Sequence, residues 1–93
     1  MKYAVFLSLF LTLSATAAQA ACYADYKAKQ DGPLRLHYGV AEVQGPCTSR
    51  NAQRVLAARL DAAGWTLLTV LGTFDDEGLD SRKDSAGEYF LRF

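Results

Sequence analysis

Twelve uncharged, mostly apolar residues, Tyr3 to Ser14, follow Lys2 and lead into Ala18-Gln19-Ala20. One positive residue, an apolar run of this length and a small-x-small site are the three parts of a secretory signal peptide. A membrane-spanning helix needs about twenty apolar residues, and this run gives way to Thr16 and small residues before that length is reached. The expectation is a signal peptide over 1–20 cut after Ala20, a periplasmic or secreted location, and no stable membrane insertion after cleavage. This feature constrains the fold most, because removing 20 of 93 residues leaves 73, enough for one small domain over 21–93. A chain this short buries only about 60% of its unfolded surface, so it gains from a covalent staple.

Two cysteines remain after cleavage, Cys22 and Cys47. An oxidising compartment and an even count favour a disulfide between them. With 24 residues between the cysteines, closing the loop is worth about 3 kcal/mol through chain entropy. Two alternatives stay open. A bacterial lipoprotein signal places a cysteine just after the cut, as Cys22 stands here, so Cys22 could be a lipid anchor. Ala20 and Ala21 fit that pattern, whereas Gln19 stands where a leucine is usual. A reactive thiol needs neighbours that lower its pKa, and only Cys47, just before a predicted helix, has such a position.

The mature charge is −1, from nine basic and ten acidic residues. That balance gives no basic bias toward nucleic acid.

Along the mature chain, Cys22–Gln30 is compatible with a short helix, ended by the turn Asp31-Gly32-Pro33. Leu34–Val43 reads as a strand. Leu34, Leu36, Tyr38 and Val40 share one face, and Arg35, His37, Gly39 and Ala41 the other. Thr48–Ala63 reads as a helix, capped by Thr48 or Ser49 and stopped by Gly64. Ala52, Val55, Leu56, Leu60 and Ala63 form its apolar side; Arg50, Arg54, Ala57 and Asp61 face away. Arg59 falls inside the apolar stripe. Its stem is expected to lie on the core with its head outward, too far along the helix to pair with Glu42.

Trp65–Phe74 (WTLLTVLGTF) is the strongest strand signal. Strict alternation places Trp65, Leu67 and Leu71 on one face and Leu68, Val70 and Phe74 on the other, so both faces need cover. Asp75–Gly87 is polar, with room for a short helix about Leu79–Ser85, and Glu88–Phe93 reads as a last strand. The expected fold class is α+β: one main helix packed on a three-stranded sheet in the order strand-helix-strand-strand, plus the short N-terminal helical segment. The first two strands should be parallel and the last antiparallel. The N-terminal segment, with Tyr23 and Tyr26, is the nearest candidate to cover the second sheet face, and a partner chain is the other.

The spacing of Leu60, Ala63-Gly64-Trp65, Leu67-Leu68, Val70 and Tyr89-Phe90-Leu91-Arg92 resembles short bacterial strand-helix-strand-strand domains of unknown function, whose helix ends in Gly-Trp. With its signal peptide and cysteine pair, the chain is similar to small exported proteins of proteobacteria. The likeness spans Leu34–Phe93 and consists mostly of core residues. It implies a fold and a compartment and brings no catalytic residue. The cysteine pair is a departure from it.

The sequence offers little for catalysis. His37 is the only histidine, and its parity predicts an exposed strand position. A zinc site needs three or four nitrogen or sulfur ligands, so no metal is expected, nor any other cofactor. Ser49, Ser81 and Ser85 have no base and orienting group beside them in sequence. Asp75, Asp76, Glu77, Asp80 and Asp84 miss the offsets of a calcium loop, and Gly72 and Gly78 are isolated, unlike a phosphate-binding loop.

The expectation is therefore a non-enzymatic domain that binds a protein partner or pairs as a homodimer. Arg35, His37, Phe90 and Arg92 are the candidate interaction surface, a partly apolar patch rimmed by charge. A lipid-anchored envelope protein is the alternative, and a small enzyme using His37 or a free cysteine is the remaining one.

Overall fold

In Cys22–Gln30, Cys22, Ala24, Tyr26 and Ala28 alternate with Tyr23, Asp25, Lys27 and Lys29. That is period two, and the segment is a strand, β1, at the centre of the sheet. The computed structural model describes residues 21–93; the expected signal peptide over 1–20 lies outside the described residues. The expectation of an N-terminal helix is corrected here. Alanine and lysine favour helices when isolated, but burial of one alternating face decides the conformation.

β1 pairs antiparallel with β2 (Arg35–Val43) on one side and with β3 (Thr66–Phe74) on the other, giving the order β2-β1-β3. The two outer strands therefore run parallel, as the crossover rule predicts, but β1 lies between them. The main helix, α1 (Ser49–Ala62), joins β2 to β3. The protein is α+β, with the order β-β-α-β in place of strand-helix-strand-strand.

Glu88–Phe93 is not a sheet strand. A 3₁₀ turn over Gly87–Tyr89 leads to a single parallel bridge, Val40 with Phe90. Leu91, whose φ of 58° no regular strand allows, donates its N–H to Val40 O at 2.8 Å.

α1 begins where its cap chemistry dictates. Thr48 is extended, and its Oγ1 accepts from Asn51 N at 3.1 Å. Gly64, at φ +87°, turns the chain out of the helix. Ala52, Leu56 and Leu60 pack on Cys22, Ala24, Tyr26, Ala28, Ala41, Val43 and Trp65 to form the main core. The small residues on this sheet face let the helix approach closely.

β2 accordingly turns its smaller side chains inward. His37, Gly39, Ala41 and Val43 pair with Ala28, Tyr26, Ala24 and Cys22 on the α1 face. Leu34 and Leu36 remain exposed, opposite to the expected parity. β3 departs from strict alternation for a different reason. The register slips between Asp25 and Tyr26 and again between Lys27 and Ala28, so Leu71 and Leu68 are bulge residues without a partner on β1. The bulges put Leu67 and Val70 both against the core.

Part of the second sheet face is covered by α2 (Asp80–Ala86), not by the N-terminal segment. α2 packs on β2, over the buried Val40 and Ala86.

Candidate functional site

His37 is not exposed. It is only 8% accessible, and its Nε2 lies 2.9 Å from the hydroxyl of Tyr26. A Cβ at Gly39 would collide with the Tyr26 ring, so this glycine opens the path by which the phenol reaches the imidazole. Tyr89 stacks on the imidazole with ring centres 3.8 Å apart and planes 12° from parallel. Trp65 meets it edge-on at 4.4 Å, and Phe93 lies at 5.8 Å. Four elements thus wall in one ring: β1, β2, the entry to β3 and the closing segment Tyr89–Phe93. His37 Nδ1 is buried with no hydrogen-bond partner among the described residues.

Electrostatics follow from this enclosure. Burial first, then the positive charges of Arg92 and Arg35, lower the pKa of His37 below its ordinary 6.5, while Glu88 opposes the shift. Burial, with a smaller contribution from Tyr89, pushes Tyr26 up to about 12. Neutral imidazole and neutral phenol are the stable forms of this pair at neutral pH.

Three of the four residues expected to form an interaction surface meet at this box. Arg35 lies 5.6 Å from the Trp65 ring centre; Arg92 lies 5.5 Å from that of Tyr89 and 5.7 Å from that of Phe93. Phe90 is separate, on the outer edge of β2. The corrected picture is a sealed aromatic box with two arginines at its rim, on the α1 side of the sheet.

The same edge explains Arg59. Its Nη1 donates to Glu42 O at 2.8 Å and to Phe93 O at 3.2 Å. It meets the backbone of Glu42, not its carboxylate. Val40 O and Glu42 O, which both point off the outer edge of β2, are thereby satisfied by Leu91 N–H and by Arg59.

On the opposite face Asp25 is buried between Tyr38 Oη, which donates at 2.9 Å, and Arg82 Nε at 3.1 Å. The guanidinium also lies over Phe74, 3.9 Å from the ring centre, and donates from Nη1 to Gly78 O at 2.7 Å. Burial, then the hydrogen bond to Asp25, pushes Tyr38 up to about 12. This cluster fastens α2 to the sheet. Nothing in the sequence pattern linked residues 25, 38 and 82.

α2 leaves the other half of this face open. Lys27, Ala28, Leu36, His37, Tyr38 and Leu68 border a groove of about 260 Å³ there. Leu36 is 65% and Leu68 50% accessible; Leu34 in the preceding turn and Leu71 further along β3 are similarly exposed. Lys27 is exposed and forms no ion pair among the described residues.

Cys22 and Cys47 form a disulfide with Cα atoms 5.6 Å apart. Among the described residues no helix is long and apolar enough to cross a membrane. Compared with known proteins, the chain matches no family model, no curated protein and no solved structure.

Proposed function

We propose that this protein is a non-enzymatic, exported binding module that engages a partner protein through the groove between Leu36 and Leu68. The observation that carries the reading is the exposure of Leu34, Leu36, Leu68 and Leu71. A chain with so small a core gains about 1.5–3 kcal/mol for each leucine it buries, so leaving these outside favours a binding role for them. Two of the four are bulge residues, and bulges re-aim side chains. The uncompensated Lys27 ammonium suits a partner segment that carries a carboxylate beside an apolar side chain.

The rest of the chemistry supports a binding role over catalysis. The one histidine is enclosed, its Nε2 is occupied by Tyr26, and both cysteines are bonded to each other. The signal sequence and the disulfide favour export to the periplasm or beyond.

Photo-crosslinking residues placed at Leu36, Leu68 and Arg50 in the producing cell test the reading. Defined adducts are expected from positions 36 and 68 and none from 50, which lies on the solvated side of α1. Lys27→Glu should abolish them. Equal labelling at all three sites, or none, overturns the proposal. A self-adduct at positions 36 and 68 would identify the partner as a second copy. Intact mass of the exported protein, before and after reduction, tests the compartment: a free chain from Ala21 is expected, and an acylated Cys22 overturns it.

A further inference from the structure

We propose that His37 is an acid-operated latch: its protonation releases the closing segment Tyr89–Phe93 from the edge of β2 and opens the aromatic box.

One of the two ring nitrogens of His37 has a partner and the other has none. Whichever tautomer the Tyr26 hydroxyl selects, Nδ1 is a buried polar atom without a hydrogen bond. Protonation makes both nitrogens donors and places a full charge among Tyr26, Trp65, Tyr89 and Phe93. The Tyr26 hydroxyl can accept from Nε2–H, but a buried cationic Nδ1–H without an acceptor is strongly disfavoured. It is relieved only if water reaches Nδ1, so one wall has to move.

Three walls are fixed by the fold. Tyr26 is on the central strand, His37 is itself on β2, and Trp65 is tied to α1 by its N–H to Leu60 O at 2.8 Å. The fourth wall is the closing segment. Its backbone is held to β2 by Leu91 N–H to Val40 O, and Arg59 adds a bond to Phe93 O. Leu91 sits at φ 58°, where a side chain is strained. The Arg92–Glu88 pair, between the segment and the residue just before it, is 3.9 Å long and exposed. This wall lies outside the three strands of the sheet and carries the tyrosine stacked on the imidazole.

The groups facing His37 set the direction. β1 contributes Tyr26, β2 contributes Arg35, the closing segment contributes Glu88, Tyr89 and Arg92, and α1 contributes Arg59 through Phe93. Arg35 and Arg92 disfavour a charged imidazole and Glu88 favours it; burial adds to the arginines, so the closed box binds the proton more weakly than an open one. With the closed-state pKa below the ordinary 6.5, closure is fully favoured above 6.5 and weakens as pH falls from there toward the closed-state value.

Amide hydrogen exchange on the full chain, with NMR detection of the imidazole, tests the latch. Between pH 7.5 and pH 5, the protection factor of the Leu91 amide should fall by up to about tenfold per pH unit, while those of Leu56 and Leu60 in α1 hold steady. Fluorescence of Trp65, the only tryptophan, should change over the same range. His37→Phe, which fills the box without a titrating proton, should keep Leu91 protected throughout. Should that variant not fold, His37→Gln replaces it. Loss of Leu91 protection in the variant as in the wild type overturns the proposal. So does an imidazole that titrates in the wild type while Leu91 stays protected.

Discussion

Gly39 decides whether the aromatic box can exist. It faces Tyr26 across the β1–β2 ladder, and any side chain there would occupy the space of the phenol ring. Gly39→Ala is expected to cost about 1–3 kcal/mol by overpacking, seen as a lower urea midpoint with an unchanged slope. It should also separate Tyr26 Oη from His37 Nε2 and shift the imidazole resonances. A variant as stable as the wild type would mean that Tyr26 has another way to pack. In sequence Gly39 looked like a neutral member of a polar face. Its role depends on a tyrosine thirteen residues earlier, on a segment whose helix propensity pointed away from a strand. His37 was misread by the same route: Leu34, just before β2, and Leu36 within it drew the inward parity to themselves. The helix instead selects the parity with the small residues, because only there can it come close enough to bury Leu56 and Leu60.

At the level of elements, α2 depends on one ion pair more than on an apolar face. Among its residues only Ala86 is buried, and Arg82 reaches from it to the enclosed Asp25. Arg82→Met removes the guanidinium from over Phe74 and leaves Asp25 with Tyr38 as its one donor. The expected loss is about 1–3 kcal/mol, with the α2 amides exposed first and those of β1 and β2 still protected. Adding Asp25→Asn should restore part of the loss, since the neutral amide needs no counter-charge and still accepts from Tyr38. Equal losses in the single and double variants would show that the charge is not what holds α2. The elements written in local signals were legible: α1 with its Thr48 cap and Gly64 stop, the β2 and β3 segments, and a short helix near residues 79–85. β1 was legible in principle, since Cys22, Ala24, Tyr26 and Ala28 alternate without exception. Three of those four are small, and period two is easily missed when the buried side chains are alanines. The bulges at Leu68 and Leu71 had no local signal at all, because they arise from register against a strand 40 residues away.

At the scale of the whole molecule, the disulfide joins the first residue of the central strand to the loop that launches the helix. The pairing was readable from the two cysteines of the sequence, and the topology explains its placement. β1 forms both ladders of the sheet, so fraying at Cys22 would open the pairings to Val43 and, one residue on, to Phe74. The bond also pins the Gln44–Thr48 loop, but that loop has a second tether. Asn51, buried at the start of α1, donates from Nδ2 to Gln44 O at 2.8 Å and to Pro46 O at 3.0 Å. These two bonds act on the folded state, whereas the disulfide acts mainly by restricting the unfolded chain. The two contributions can therefore be separated. Cys22→Ala with Cys47→Ser should cost about 3 kcal/mol and lower Tm by more than about 10 °C in a domain this size, with the folded loop unchanged in its amide shifts. Asn51→Ala should instead leave Gln44 O without this donor and Pro46 O with Thr48 N–H alone, cost about 0.5–1.5 kcal/mol and disturb the loop shifts. If the cysteine variant disorders the loop while Asn51→Ala leaves it intact, the disulfide is the organiser of the native loop and not chiefly a restraint on the unfolded chain.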